Sequence, residues 1–259
     1  MVDSHARGSI TVFDDTVPGV RDPVLDCAVG PALLQRVADL GGPELLRLYR
    51  PRPTLAFSGR DCASPGIGEA AAAARSAGFV PIRRGPGGRA AAYHSGALCI
   101  DHVGPDREGI AHIRSRFSVF GDLLTGALRD LGVDARLGPV PGEYCPGEFS
   151  INDGHGHKLV GTAQRLVRGA WLFGTVILVT DPEPVRDVLI TVYDALGLAW
   201  DPATVGAVQS TVPAVTVPDV HAAVLHAHTR LATLVPAELD DAAIELAGER
   251  RERHLIRPD

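Results

Sequence analysis

The sequence contains a single lysine, Lys158, although lysine and arginine together number 25. A composition that uses arginine almost everywhere else indicates that this position needs a compact ammonium rather than a planar guanidinium. Cys145 lies 13 residues upstream, in a segment rich in Gly and Pro. A thiolate near a cation has a lowered pKa and can act as a nucleophile. The structural alternatives are a solvated lysine on an edge strand and a small buried cysteine.

A second set of reactive residue types occupies a glycine-rich loop between two predicted strands. The loop reads Arg83-Arg84-Gly85-Pro86-Gly87-Gly88-Arg89. Paired glycines let the backbone approach a ligand closely, and adjacent arginines favour a carboxylate or a phosphate. No predicted helix follows the loop, so the pattern matches neither a Walker A motif nor a dinucleotide-binding motif. A tight turn with solvated arginines is the alternative interpretation.

The strand that begins at Lys158 carries further polar residues and small residues. Alternate residues of a strand share a face, so Lys158, Thr162 and Gln164 are expected to form one polar wall. Gly161 and Ala163 would permit a ligand to approach that strand closely.

Together these segments resemble the lipoate–protein ligase and octanoyltransferase family, which is related to biotin protein ligases. The stretch 83–98 matches the family's Arg-Arg-x-x-Gly-Gly pattern without a gap, and the stretch 158–175 matches its Lys-to-Gln-Arg pattern and closing Gly-Thr. Ser58-Gly59-Arg60 resembles a third family segment. The resemblance covers roughly residues 10–200 and places Lys158 at the family's essential lysine. The chain departs from the family at Tyr93 and His94, where the family has His and Asp, and at Phe173, where it has His.

The resemblance implies an α+β (α/β) fold of the biotin/lipoate protein ligase type, with a mixed, largely antiparallel sheet flanked by helices. It implies an enzyme that attaches a lipoyl or octanoyl group to a lysine of lipoyl domains. The acceptors would be 2-oxoacid dehydrogenases or the glycine cleavage H protein. Lys158 is then expected to stabilise the oxyanion. The residues expected to contact the substrate are Arg83, Arg84, Gly87, Gly88, Arg89, Tyr93, His94, Gly161, Thr162, Ala163, Gln164, Gly174 and Thr175.

The sequence leaves three activities open and slightly favours the first. The first is a ligase that forms an acyl-adenylate from ATP with Mg²⁺. Ser150 and Ile151 stand where such ligases usually carry Asn-Asp, and the Asn152-Asp153 pair is either that site rearranged or a hairpin turn. The second is a transferase that needs no cofactor and uses Cys145 as its thioester nucleophile. The third is a non-catalytic acyl-binding or protein-binding member of the fold, which the changes at Tyr93 and Phe173 motivate.

Hydrophobic periodicity predicts the elements that must position these residues. Strands are expected at 9–13, 45–49, 54–57, 79–82, 97–103, 148–152, 158–167 and 171–179, and helices at 24–40, 68–77, 110–131, 185–196, 220–234 and 237–253. Residues 1–200 are expected to form the catalytic domain. Residues 201–259 are expected to form a short C-terminal helical extension packed on the same domain.

Composition excludes several other classes of protein. The net charge of −6 gives no basic excess for binding nucleic acid. No apolar stretch reaches the ~18 residues that cross a bilayer, and the N-terminus lacks the apolar core of a signal peptide. The four cysteines form no CxxC pair. Of the two His-x-His pairs, His155/His157 flanks a turn and His226/His228 lies on a predicted helix where residues two apart do not face together, so no metal site is expected. A cytoplasmic protein with reduced thiols is therefore predicted.

Overall fold

A mixed sheet of eight strands forms the centre of the computed structural model, which describes residues 8–17, 21–106 and 109–257. In spatial order the strands are β11 (Thr233–Ala237), β1 (Ser9–Asp15), β2 (Glu44–Tyr49), β6 (Ala97–Pro105), β10 (Ala170–Leu178), β9 (Lys158–Val167), β8 (Ile151–Asn152) and β7 (Arg136–Leu137). β1 pairs in parallel with β2 and β11, whereas the remaining neighbours pair antiparallel. The prediction of a mixed, largely antiparallel sheet is confirmed.

A smaller sheet carries the glycine-rich loop. Its order is β4 (Val80–Arg83), β3 (Thr54–Phe57) and β5 (Ala91–Tyr93), and the loop connects β4 to β5. β3 pairs in parallel with β4 and antiparallel with β5. The small sheet therefore holds both ends of the loop on rigid strands.

Helices cover both faces of the large sheet. On one face lie α1 (Pro23–Leu40) and α8 (Asp241–Arg250), and on the other lie α4 (Ile113–Asp130) and α7 (Val217–His228). α3 (Ile67–Ser76) packs on α5 (Pro182–Ala195) beside the small sheet, and α2 (Gly59–Cys62) and α6 (Val208–Thr211) are single turns. None of the helices in the described part of the chain combines the length and apolar character that a bilayer crossing requires.

Local sequence explains where α1 begins and which side of β2 each helix layer covers. The Asp22 side chain accepts hydrogen bonds from two backbone N–H groups of the first turn, and Pro23 fits a position whose N–H has no helical partner. Along β2, Leu46 and Leu48 pack toward α4 and α7, while Leu45 packs toward α1. Because successive side chains of a strand point to opposite faces of the sheet, the core is divided into two layers, one on each face of the large sheet.

The C-terminal segment differs from the helical extension that its periodicity predicts. α7 ends at His228, and residues 233–237 form β11, which pairs in parallel with β1 at the edge of the large sheet. The apolar residues of 231–235 are compatible with either a helix or a strand, and pairing with the open edge of β1 favours the strand. The prediction that the N-terminus carries no signal peptide rests on residues 1–7, which lie outside the described residues.

Candidate active site

A largely apolar cavity of about 640 Å³ lies between the glycine-rich loop and the large sheet. Gly161, Ala163 and Gly174 leave parts of β9 and β10 without bulky side chains at this place. Phe117, at the start of α4, contributes an aromatic wall. Sites for small molecules typically have volumes of about 300–1,000 Å³, so the cavity can hold a ligand with an apolar body.

Lys158 lies buried at the wall of this cavity and holds the loop that contains Cys145. Its ammonium lies 2.9 Å from the Glu143 carboxylate and donates hydrogen bonds to the carbonyl oxygens of Tyr144 at 3.0 Å and Cys145 at 2.9 Å. The ring of Tyr144 lies 4.8 Å from the same nitrogen. Two of the three ammonium protons are therefore donated to carbonyl oxygens, and the carboxylate pairs with the positive charge. In this arrangement Lys158 positions the loop and supplies positive charge.

The Cys145 thiol faces two donors of the glycine-rich loop. The Arg89 backbone N–H donates to Sγ at 3.2 Å, and Nη2 of Arg84 lies 3.4 Å from it. Burial raises the pKa of Cys145, but Arg84, Lys158 and the Arg89 N–H together lower it by more. The pKa of the thiol therefore lies below its ordinary value. The site therefore stabilises a thiolate, which is the nucleophilic form.

Backbone conformation and a buried tyrosine hold the thiol in place. Cys145 has φ 42°, which is rare for a residue with a side chain. Its backbone N–H donates to the hydroxyl of Tyr193 at 2.7 Å, and that hydroxyl donates to the carbonyl of Ala90 at 2.9 Å. The tyrosine thus links the cysteine loop to the end of the glycine-rich loop.

The two glycines of the loop have different roles. Gly88 has φ +102°, and a Cβ there would lie 2.7 Å from Sγ of Cys145 and 2.6 Å from Nη2 of Arg84. A Cβ at Gly87 would meet nothing within 4 Å. The close approach that the Gly pair predicts therefore occurs at Gly88, and the group that approaches is the cysteine thiol.

Most residues predicted to contact substrate line the cavity. They are Arg84, Gly87, Gly88, Tyr93, Gly161, Thr162, Ala163, Gln164, Gly174 and Thr175.

The expected polar wall shared by Lys158, Thr162 and Gln164 is not a connected network. Thr162 donates to the carbonyl of Phe149 at 3.3 Å, and the Gln164 amide donates to the carbonyl of Ile113 at 2.8 Å.

Three residues predicted to contact the substrate, Arg83, Arg89 and His94, lie outside the lining of this cavity. Arg83 is the last residue of β4, and its side chain is exposed. Arg89 directs its guanidinium to Asp61 at 3.2 Å, so only its backbone N–H reaches the thiol. His94 stabilises a turn, because its ring bonds the carbonyl of Asp181 at 2.9 Å and accepts from a backbone N–H.

Three residues that the sequence analysis did not single out complete the site. Glu143 could have been found, because a buried lone lysine needs a counter-charge and this acid lies two residues before Cys145. Asp101 is the one acid of the largely apolar strand β6, and burial raises its pKa to about 6 despite Arg47 at 3.5 Å. Tyr193 carries no local signal, because only the tertiary fold brings α5 to the cysteine loop.

Asn152 and Asp153 form a hairpin turn, and their side chains are engaged there. Asn152 accepts from the N–H of Gly154 and donates to the carbonyl of Gly138. Asp153 accepts from the backbone N–H groups of residues 155 and 157 and contacts the His157 ring at 2.7 Å. As arranged, these side chains do not fit the role of free ligands for a magnesium nucleotide. Within the described ranges no group of three His, Cys, Asp or Glu could hold a metal ion.

Fold and site together define an α+β protein that has an apolar ligand cavity and a cation-stabilised thiol at its wall. Residues 22–229 match the family model of the lipoyl protein ligase A/B catalytic domain. The match covers most of the chain, and the chain therefore belongs to this family.

Two curated relatives are octanoyl-[GcvH]:protein N-octanoyltransferases. The chain is 28% identical over 170 residues to the one from Geobacillus kaustophilus, an alignment that spans 66% of this chain and 60% of that protein. It is 30% identical over 125 residues to the one from Exiguobacterium sp., spanning 48% of this chain and 44% of that protein. The aligned part of the chain thus spans less than two thirds of these relatives' own length.

Solved structures share the fold over nearly the whole chain. A bi-partite lipoate protein ligase from Thermoplasma acidophilum has a TM-score of 0.72 and 21% identity, covering 96% of this chain and 93% of that one. A lipoate-protein ligase A bound with ATP has a TM-score of 0.73 and 20% identity, covering 95% of both chains. At this identity the likeness shows the fold, and the biotin/lipoate ligase type of fold is confirmed.

Proposed function

We propose that this protein transfers an octanoyl or lipoyl group from a carrier to a lysine of an acceptor protein, through a thioester on Cys145. The observation that carries the proposal is the thiol itself, which lies at the wall of an apolar cavity between Arg84 and the Arg89 N–H. The names of the curated relatives describe transfer of octanoyl from GcvH to another protein. That description supports an H protein as donor and a lipoyl domain as acceptor.

The chemistry balances without an added activating group. The Cys145 thiolate attacks the donor carbonyl, a C–S bond forms, and the electrons of the C=O bond move to oxygen. Collapse of this intermediate breaks the C–N bond to the donor. The lysine nitrogen leaves as a neutral amine after it takes a proton from solvent, which replaces the proton that the Cys145 thiol lost to solvent. The acceptor lysine amine then attacks the thioester, a C–N bond forms, and the C–S bond breaks to return the thiol.

Each residue around the thiol has a distinct part in this reaction. Arg84 and the Arg89 N–H stabilise the thiolate before attack and after the thioester breaks. Lys158 adds positive charge and fixes the loop through the Tyr144 and Cys145 carbonyls. The cavity would hold the acyl chain away from water. Such a reaction needs a reduced thiol, which is the state expected in the cytoplasm.

Mass spectrometry of the intact protein tests the proposal. Octanoylated H protein, added without ATP, should leave one hydroxylamine-sensitive octanoyl mass on the wild type and transfer it to a lipoyl domain. Cys145→Ala should abolish both products. Cys62→Ser is the matched control, because Cys62 is a half-buried cysteine outside the cavity lining, and it should retain both.

The same assay separates the other two activities. A ligase would produce octanoylated lipoyl domain from free octanoate only with ATP and Mg²⁺, and Cys145→Ala would leave that product unchanged. Either of those results would refute the thioester route. Absence of any modified product with every donor would instead identify a non-catalytic member of the family.

A further inference from the structure

A second cavity, of about 500 Å³, adjoins the candidate active site. It lies between α1, the end of β4, β9 and the C-terminal helix, and it shares Pro31, Arg84 and Gly85 with the first cavity. Its lining is strongly cationic. The basic residues are Arg83, Arg84, Arg165, Arg250, Arg253 and His254.

The positive charge of this cavity is not balanced within its own walls. No Asp or Glu is among the described residues that line it, although the chain as a whole has a net charge of −6. The Nε atoms of Arg84 and Arg250 are buried and have no hydrogen-bond partner in the described structure. Buried donors are normally satisfied, so these two point to an acceptor that comes from outside the chain.

Hydrogen bonds across the cavity hold its walls together. Arg165 lies 3.3 Å from the carbonyl oxygen of Gly85, and the His254 ring bonds the carbonyl oxygen of Arg83 at 2.7 Å. Ile82 and Leu255 form an isolated bridge beside them. These contacts fix the C-terminal residues against the glycine-rich loop, so the fold itself maintains the cavity.

We propose that this second cavity binds a phosphate group, either as free phosphate or as a phosphate ester. Several arginines that line one cavity without an acidic residue suit the multiple acceptor oxygens and charge of a phosphate. A recessed space of this size admits a small anion rather than the broad surface of a folded acidic protein. Arg250, Arg253 and His254 lie beyond residues 22–229, so the family match does not contain these three residues of the site. Phosphate binding does not depend on the proposed reaction.

Arg84 connects the two cavities, because it lines both and lies 3.4 Å from Sγ of Cys145. An anion in the second cavity would neutralise part of the Arg84 charge that stabilises the thiolate. Bound phosphate should therefore slow the alkylation of Cys145 by iodoacetamide near neutral pH. This reactivity gives a readout that needs no acyl donor.

Isothermal titration calorimetry with inorganic phosphate tests the site directly. The full chain should bind phosphate saturably, and Arg250→Gln and Arg253→Gln should each weaken binding roughly tenfold or more, about 1.4 kcal/mol. Arg186→Gln is the matched control, because Arg186 is a surface arginine on α5 paired with Asp187, and it should bind as the wild type does. Absence of saturable binding, or equal binding by all four proteins, would overturn the proposal.

Two acyl donors distinguish the sources of the phosphate. If the phosphate belongs to the arm of a donor, octanoyl-phosphopantetheine should acylate Cys145 faster than octanoyl-pantetheine, and Arg253→Gln should remove the difference. If free phosphate is the ligand, it should slow both donors equally. Tight binding of an acidic protein by a chain that binds no phosphate would refute the proposal in favour of a protein-docking surface.

Discussion

Removal of the Lys158 ammonium provides the most direct test of how the site is held together. Lys158→Met keeps a long unbranched side chain but removes the charge and its donors. Glu143, whose side chain is fully buried, would then lack the counter-ion that now lies 2.9 Å away. Leaving a buried charge uncompensated costs about 3–5 kcal/mol, so we expect the free energy of unfolding to fall by that amount.

A double-mutant cycle isolates the pair. Glu143→Gln alone leaves the buried ammonium with two carbonyls and an amide oxygen, and it should also destabilise the fold. Lys158→Met combined with Glu143→Gln removes both charges, so its cost should be smaller than the sum of the single costs. The two residues are in direct contact, and the coupling energy should be about 2 kcal/mol or more.

Urea unfolding followed by circular dichroism at pH 7 measures the stabilities, and iodoacetamide measures the reactivity of Cys145 in the folded variants. Alkylation near neutral pH should slow in Lys158→Met and stay slow in the double variant, because neither has the positive charge. Arg230→Gln, which breaks an exposed pair with Asp130, is the control and should cost only ~0–1 kcal/mol. Strictly additive costs, or unchanged alkylation, would refute the assigned role of Lys158.

Three further predictions follow from individual contacts. Gly88→Ala should slow alkylation of Cys145 by roughly tenfold or more, whereas Gly87→Ala should leave it near the wild-type rate, because only the first places a Cβ against the thiol. Tyr193→Phe should reduce the free energy of unfolding by about 1–3 kcal/mol in urea titrations, since it leaves the N–H of Cys145 unpaired. The pKa of Asp101 is raised from 3.8 to about 6, so this carboxyl should contribute a loss of about 3 kcal/mol of stability as the pH rises through that interval, measured as the difference between the pH profiles of the wild type and Asp101→Asn. Asp101→Asn should lack this loss, and equal pH profiles would show that Asp101 does not cause it.

The parts of the site that lie on contiguous segments could be predicted from the sequence. The glycine-rich loop connects β4 to β5, and Lys158 begins β9, so motif and position in the sheet agree. Local residue types set the turn at Asn152-Asp153 and the start of α1. In each case the physical cause acts over a few residues and is therefore visible in the sequence.

The parts that could not be predicted depend on tertiary contacts. Tyr193 reaches the cysteine loop only because α5 packs beside the small sheet. β11 forms because β1 offers an unpaired edge, and a five-residue segment carries too little periodicity to choose between strand and helix. The family resemblance implies a substrate contact for His94, whereas the turn after β5 directs its ring to the carbonyl oxygen of Asp181.

The geometry around Lys158 explains why this chain retains one lysine among so many arginines. Two carbonyl oxygens and a carboxylate converge on a single nitrogen at 2.9–3.0 Å. Such a site suits an ammonium, whose three protons leave one atom in different directions, and not a guanidinium, whose donors spread over a plane. These contacts of Lys158 also hold Cys145 at φ 42°, with its thiol against Gly88, where a Cβ would not fit. Lys158 therefore both holds the loop in this conformation and lowers the pKa of the Cys145 thiol. Substitution by arginine would disturb the loop and the pKa.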